Sequence, residues 1–169
     1  MSSSDRPSRR LTSSGALVWR NRVTQGGSLE VLIVHPGGPF FASKDLGAWS
    51  LPKGVVDHEI IDDEALRETA MRELDEEAGL MPEGELVALG SVKQKGGKTV
   101  YAFAIACDEE LPKDHRPPQV RIEYPPGSMR ELAFPEVDKA LFVPIEVARE
   151  KLNPAQVAFL DRLVEALGA

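Results

Sequence analysis

The chain has 169 residues, of which 28% are charged and 42% hydrophobic, and this composition predicts one soluble globular domain. A formal net charge of −7 at pH 7 argues against broad, nonspecific nucleic-acid binding, which requires a basic face. A single cysteine, Cys107, excludes a disulfide within the chain, and no apolar run reaches the ~18 residues of a membrane span. Since the N-terminus also lacks the apolar core of a signal peptide, we predict a cytoplasmic protein with neither nucleic acid nor membrane as a partner.

The predicted elements begin after an N-terminal segment that is rich in serine and arginine. We predict that residues 1–12 form a flexible tail and that residues 13–169 form a single domain. Apolar patterning then predicts strands over 14–20, 29–35 and 49–51. A turn at 36–39 and a loop that carries Phe40 and Phe41 separate the second of these strands from the third.

A helix is predicted in the middle of the chain. The segment 65–71 contains neither Gly nor Pro and is rich in helix formers. Asp62 or Asp63 would cap its start, and Gly79 would end the helix in a left-handed turn. Its predicted packing stripe consists of Leu66, Thr69, Ala70 and Leu74.

The second half of the chain predicts further strands and a closing helix. The strands are a hairpin pair at 85–94 and 98–107, a short edge strand at 119–124 and a strand at 139–143. Asn153 would cap the last helix, with Pro154 at its first position. This order of elements predicts an α+β domain in which helices cover both sides of a mixed sheet.

Three glutamates lie near the end of the predicted central helix, where a helix normally avoids negative charge. Glu73, Glu76 and Glu77 are spaced i, i+3 and i+4 and therefore share one face. An anion in the last turns is disfavoured by roughly 0.3–1 kcal/mol because it meets the negative end of the helix macrodipole. A cation in front of this face would turn that cost into a gain, and hard oxygen ligands suit Mg²⁺ or Mn²⁺. The alternative is an ordinary solvated acidic face.

The segment Arg72–Leu80 resembles the second half of the Nudix box, the signature of the Nudix hydrolase family, at every fixed position. That signature runs Gly, five residues, Glu, seven residues, then Arg-Glu-apolar-x-Glu-Glu-x-Gly-apolar. Glu64 has the expected spacing to Arg72, and Gly54, at the end of a Leu-Pro-Lys-Gly lead-in, would be the box glycine. Nine residues rather than five separate Gly54 from Glu64, so the loop is lengthened by four residues and Glu59 is a rival for the role of Glu64.

The resemblance implies an alpha/beta/alpha sandwich and a hydrolase that depends on Mg²⁺ or Mn²⁺. The reaction would cleave a phosphoanhydride bond in a nucleoside diphosphate linked to another moiety, with a dinucleoside polyphosphate or a nucleoside triphosphate ranked first. Glu73, Glu76 and Glu77 would bind the metal, and one glutamate would also act as general base. Arg72 would pair with the helix carboxylates, Glu76 among them at i, i+4. Gly54 would let the backbone approach the ion.

Further site residues are predicted outside the box. The family commonly adds an acidic residue just before the strand that precedes the last helix, and Glu136 occupies that place, with Asp138 as the alternative. The predicted substrate contacts are Lys53, Lys93, Lys95 and Tyr101. The hairpin lysines form a basic patch together with Lys98. The alternative to phosphate binding is that these lysines are only solvated residues of a turn. For Tyr101 the alternative is core packing.

Two classes of function follow from these residues. The first is a catalytic domain whose partner is a small nucleotide or polyphosphate, with a homodimer left open. The second is a non-catalytic Nudix-like domain that binds a nucleotide as a sensor or interaction module. Such domains often lose box glutamates, so the intact glutamates and Arg72 favour catalysis, whereas the lengthened loop favours the sensor.

Overall fold

The computed structural model describes residues 11–168 of the chain. The predicted flexible tail lies, up to residue 10, outside the described residues. The first strand begins at Thr12, one residue inside the segment that was assigned to the tail. No helix between residues 11 and 168 is both long enough and apolar enough to cross a membrane.

Eight strands and three α-helices make up the described part of the chain. The strands are β1 (Thr12–Asn21), β2 (Leu29–Pro36), β3 (Lys53–Val55), β4 (Val87–Lys93), β5 (Thr99–Ala106), β6 (Gln119–Glu123), β7 (Glu131–Pro135) and β8 (Val137–Pro144). The helices are α1 (Asp63–Ala78), α2 (Ile145–Lys151) and α3 (Val157–Ala166). Short 3₁₀ turns occur at Val23–Gln25 and Pro154–Gln156.

Strand β1 lies at the centre of a six-stranded mixed sheet. The strand order is β4-β5-β1-β2-β8, and β3 pairs with β1 as well. β1 runs parallel to β5 but antiparallel to β2 and β3. Residues 13–15 of β1 pair with β3, whereas residues 19–21 pair with β2, so the two partners share one edge of the strand. The predicted α+β class and mixed sheet are confirmed.

Helices cover both faces of this sheet. On one face, Leu74 of α1 packs in a cluster with Val18 and Phe103. On the other face, Phe159 of α3 packs in a cluster with Leu17. Burial of these apolar side chains, at roughly 1.5–3 kcal/mol each, stabilises a sandwich with α1 on one side and α2 and α3 on the other. The predicted alpha/beta/alpha sandwich is therefore confirmed.

The lead-in to β3 is the main local error of the sequence prediction. Residues 49–51 form only single bridges, from Ser50 to Val34 and from Trp49 to Leu152, and the paired strand is β3 instead. The backbone N–H of Leu51 donates to the Gln156 side-chain oxygen at 3.0 Å rather than to a neighbouring strand. A side chain that is distant in sequence therefore replaces the strand ladder.

Two elements were missed because they are short. Helix α2 buries only Ile145 and Ala148, too few positions for a helical period to be recognised. Strand β7 pairs only with β6 in a separate two-stranded sheet, so the predicted edge strand belongs to a hairpin outside the main sheet. At the last helix, the Asn153 side chain accepts a hydrogen bond from Ala155 N–H as predicted, but a 3₁₀ turn precedes the α-helix.

Candidate active site

Helix α1 is bounded by the local signals that its sequence predicts. The Asp62 carboxylate accepts a hydrogen bond from the Ala65 N–H at 2.9 Å. Gly79 adopts φ 72° and donates its N–H to the Asp75 carbonyl at 2.9 Å. These two ends determine which residues occupy the last turns of α1 and which of them share a face.

Two of the three helix glutamates are buried. Glu73 is 7% exposed and Glu77 is 5% exposed, whereas Glu76 is partly exposed. The Oε2 atoms of Glu73 and Glu77 have no hydrogen-bond partner in residues 11–168. A buried carboxylate oxygen without a partner is unfavourable, so this arrangement indicates a place for a cation. The alternative of a solvated acidic face is wrong for Glu73 and Glu77.

The buried carboxyls also bind their protons unusually strongly. Burial, a hydrogen bond to Glu76 and the negative charges of Glu76 and Glu136 raise the pKa of Glu73 to about 7. Burial and the charges of Glu136 and Glu73 raise the pKa of Glu77 to about 9. Burial, with a contribution from Glu76, also raises the pKa of Glu136. Four carboxyls therefore share one electrostatic site, which Glu136 joins from the residue before β8.

Asp138, the alternative to Glu136, has a different environment. Its Oδ1 atom lies 2.8 Å from Nδ1 of His35, a buried residue at the end of β2. Asp138 is not among the main causes of the raised pKa values of Glu73, Glu77 and Glu136. The structure thus favours Glu136 as the additional acidic residue of the site.

Strand β3 brings the backbone around Gly54 against the carboxyls of α1. Gly54 pairs with Ser14 of β1, and a Cβ atom at Gly54 would overlap Oε1 of Glu73. The backbone N–H of Lys53 hydrogen-bonds to Glu77 and opposes the rise of its pKa. Any larger residue at this position would displace the Glu73 carboxylate from the place it occupies.

Replacing Gly54 with alanine is expected to disturb the site more than the fold. The added methyl group would displace the Glu73 carboxylate, and we expect the affinity for Mn²⁺ to fall by about 10-fold or more. Titration with Mn²⁺ would measure this loss, and circular dichroism would check that the fold is retained. An unchanged Mn²⁺ affinity would contradict the role of Gly54.

Lys53 of β3 interacts electrostatically with the carboxyl site. Burial lowers the pKa of its ammonium and the charge of Lys98 lowers it further, whereas Glu77, Glu136 and Glu73 act in the opposite direction. Neither lysine side chain forms a hydrogen bond or ion pair within the described residues. Lys98 belongs to the predicted basic patch of the hairpin, and its parity with Val100, which packs in the cluster with Phe159 of α3, places both on one face of the sheet.

Arg72 does not form the expected ion pair with Glu76. Its Nη2 atom donates instead to the Val55 carbonyl at the long distance of 3.5 Å, and no Arg72–Glu76 pair is present in the described chain. The guanidinium nevertheless lowers the pKa of Glu73, against the larger effect of burial. Arg72 therefore links α1 to the start of the lengthened loop and supplies positive charge near one buried carboxyl.

Several other predicted residues lie apart from the carboxyls. Lys93 Nζ donates to Thr99 Oγ1 at 2.8 Å, and Lys95 is exposed in the hairpin turn. Tyr101 packs against the cluster beneath α1. Glu64 is exposed in the first turn of α1, which places it about 13 Å along the helix from Glu73. None of these contacts brings the four residues to Glu73 and Glu77.

The residues of the site fit a hard divalent cation. The donors are carboxylate oxygens, two of them are buried without a partner, and β3 brings its backbone alongside. Oxygen donors of this kind suit Mg²⁺ and Mn²⁺ rather than Zn²⁺. No three acidic, His or Cys side chains between residues 11 and 168 already surround a common point at ligating distance.

The site is thus a helix that presents buried carboxyls to a glycine-containing strand of a mixed sheet. A family model described as "NUDIX domain" matches residues 11–163. The chain belongs to the Nudix hydrolase family. No curated protein matches it significantly.

Solved structures share the fold at low sequence identity. A Caenorhabditis elegans Ap4A hydrolase in a binary complex has a TM-score of 0.59 at 16% identity, covering 92% of this chain and 98% of that one. The NUDIX domain of Shewanella oneidensis NrtR, complexed with ADP ribose, has a TM-score of 0.59 at 18% identity, with 99% of both chains covered. The MutT protein from Methanosarcina mazei Go1 has a TM-score of 0.55 at 20% identity, covering 94% and 95%.

Proposed function

We propose that this Nudix hydrolase uses Mg²⁺ or Mn²⁺ to cleave a phosphoanhydride bond in a dinucleoside polyphosphate or a nucleoside triphosphate. The observation that carries the proposal is the pair of buried glutamates, Glu73 and Glu77, each with an unpartnered oxygen beside the backbone of β3. The description of one structural neighbour as an Ap4A hydrolase supports testing a dinucleoside polyphosphate first.

Four carboxylates would hold the divalent ion, from Glu73, Glu76, Glu77 and Glu136. When bound, the ion would neutralise charge on the phosphate oxygens and activate water for attack. The chain itself supplies the oxygen donors, keeps two of them out of bulk water and leaves room at Gly54 for close approach of the backbone.

Glu73 is the proposed general base. A base works best when its pKa lies near the operating pH, and in the metal-free protein the pKa of Glu73 is about 7, from which the charge of a bound cation would lower it. Glu77, whose pKa is about 9, is better suited to the role of a ligand that releases its proton when a cation binds. The charge of Arg72 would help to keep Glu73 ionised between turnovers.

Lys53 and Lys98 would bind the part of the phosphate chain that extends away from the metal. Lys53 interacts electrostatically both with the carboxyls and with Lys98, so the two ammonium groups would bind phosphate next to the metal. Unpaired ammonium groups suit phosphate oxygens. This arrangement favours a chain of several phosphates over a shorter diphosphate.

Replacing Lys98 with alanine is expected to raise KM for a polyphosphate substrate by about 10-fold, because a charge-assisted contact to phosphate is lost. The effect on kcat should be small, since Lys98 lies away from the carboxyls of α1. Steady-state kinetics would measure both constants. Lys113→Ala, in the exposed loop after β5, is the matched control and should leave KM unchanged. Equal constants for the two variants would refute the phosphate contact.

The proposed function is tested by a panel of substrates with Mg²⁺ and with Mn²⁺. The panel comprises a diadenosine polyphosphate, nucleoside triphosphates and ADP ribose, and the measurement is product release. Turnover that is fastest on the longer phosphate chains would support the proposal. Failure of every substrate with either ion, together with ligand-induced increases in melting temperature, would establish the sensor function instead. The cytoplasmic location and the homodimer stay predictions.

A further inference from the structure

His35 joins three separate segments of the chain at the end of β2. It is 3% exposed, its Nδ1 lies 2.8 Å from Asp138 Oδ1, and its Nε2 lies 2.7 Å from the Lys44 carbonyl oxygen. The two partners, a carboxylate and a carbonyl, are both hydrogen-bond acceptors, so a ring nitrogen that carries a proton can donate to the partner it faces. The ring also packs edge-on against Trp49, with 5.1 Å between centroids.

The partner of Nδ1 is the extra residue of a β-bulge. In the β2–β8 pairing, His35 lies opposite Lys139 but Pro36 lies opposite Val137, so Asp138 has no partner across the ladder. A bulge of this kind redirects the neighbouring strand and its side chains. The hydrogen bond from His35 to Asp138 stabilises the bulge at the point where the chain passes from Glu136 into β8.

Glu136 is held by its backbone immediately before this bulge. Its N–H donates to the Pro118 carbonyl at 2.8 Å, and its carbonyl accepts from the Gly37 N–H at 3.0 Å. Gly37 follows β2 directly and has no room for a Cβ, which would overlap the Pro135 carbonyl. The position of Glu136 thus depends on the junction of β2 and β8, which is also the place where His35 is hydrogen-bonded to Asp138.

The partner of Nε2 lies in the loop between β2 and the lead-in to β3. The Lys44 carbonyl accepts from His35, and the neighbouring Asp45 accepts from Trp49 Nε1 and from Lys151 Nζ, both at 2.8 Å. This loop, residues 37–48, also carries Phe40, which is 57% exposed and contacts the edge of Tyr124 in the β6–β7 hairpin. At its start the loop contacts Glu136 directly, because the Gly37 N–H donates to the Glu136 carbonyl at 3.0 Å.

We propose that His35 is a positioning residue for two parts of the active site. Through Asp138 it holds Glu136 in place for the metal, and through the Lys44 carbonyl it holds the 37–48 loop in place for the organic part of the substrate. This inference rests on the proposed function, but its metal half is testable without turnover.

Two substitutions separate the two hydrogen bonds. The amide nitrogen of Asn superposes on Nδ1, so His35→Asn keeps the donor to Asp138 and loses the donor to Lys44. The longer His35→Gln keeps the donor to Lys44 and loses the donor to Asp138. We expect His35→Gln to lower Mn²⁺ affinity and kcat by about 10-fold or more, with KM little changed. We expect His35→Asn to raise KM by about 3- to 10-fold, with Mn²⁺ affinity and kcat within about 2-fold of the wild type.

A second pair of variants provides the control. Asp138→Asn keeps an oxygen that accepts from His35 and should retain most of the Mn²⁺ affinity, whereas Asp138→Ala should behave like His35→Gln. If His35→Asn and His35→Gln lose Mn²⁺ affinity and activity equally, and in proportion to the decrease in melting temperature, the role of His35 is only to stabilise the core. Unchanged constants in both would also overturn the proposal. A wild-type protein that binds Mn²⁺ without turnover would refute the proposed function alone, and Mn²⁺ affinity would still decide the role of Asp138.

Discussion

Replacing Glu76 with glutamine is expected to lower kcat/KM by at least about 100-fold while leaving the fold intact. Glu76 is a proposed metal ligand, and loss of its charge would weaken both the binding of the cation and the activation of water. The fold should tolerate the change because Glu76 is partly exposed and its charge opposes ionisation of Glu73 and Glu136. Steady-state kinetics with Mg²⁺ and a melting curve without it would measure the two effects.

The matched control for this variant is Asp75→Asn. Asp75 precedes Glu76 on α1 and is exposed. Its conversion to the amide removes one negative charge, as Glu76→Gln does. Its activity and melting temperature should stay near those of the wild type. Near-normal activity in Glu76→Gln, or an equal loss in Asp75→Asn, would overturn the assignment of the metal site to this face of α1.

The stability of the metal-free protein is expected to fall as the pH rises from 5 to 9. The pKa values of Glu73 and Glu77 are raised from 4.5 to about 7 and about 9, so the folded state binds more protons than the unfolded state across this range. Their contribution to stability is therefore present at low pH and lost as pH rises through the folded pKa values. Since one pKa unit corresponds to about 1.4 kcal/mol, we expect a decrease of more than about 2 kcal/mol in the free energy of unfolding.

Melting curves with a chelator and with Mg²⁺ would measure this dependence. Mg²⁺ should raise the melting temperature more at pH 9 than at pH 5, because ionised carboxylates bind the cation better. Glu77→Gln is the control, since an amide does not titrate, and its melting temperature should fall less between pH 5 and pH 9. A flat profile for the metal-free wild type, or the same slope in both proteins, would contradict the raised pKa of Glu77.

The part of the site that the sequence predicted best is the glutamate helix. The spacing of Glu73, Glu76 and Glu77, the cap at Asp62 and the left-handed Gly79 are all local features, and local hydrogen bonds place them as expected. The predicted Arg72–Glu76 ion pair also rested on local spacing, but it does not form. The Arg72 guanidinium donates instead to the carbonyl of Val55 in β3.

The substrate side of the site was predicted less well than the metal side. Three lysines near the hairpin turn look alike in sequence, but Lys98 interacts electrostatically with Lys53, Lys95 is exposed in the turn and Lys93 donates to Thr99. His35 belongs to no recognisable sequence motif. Its partners are Asp138, in the bulge of β8, and the Lys44 carbonyl. Neither contact follows from neighbouring residues in the chain.

The sequence by itself determined that α1 begins at a cap, ends at a glycine and carries three glutamates on one face of its last turns. It also determined that these negative charges favour the binding of a cation. Only the tertiary structure decided that Glu73 and Glu77 are buried with unpartnered oxygens, that Glu136 joins them and that Gly54 admits the Glu73 carboxylate. The reason is physical: helix ends and side-chain spacing depend on bonds within about four residues. Burial and the raised pKa values depend instead on β3, α1 and β8, which meet only when the sheet has formed.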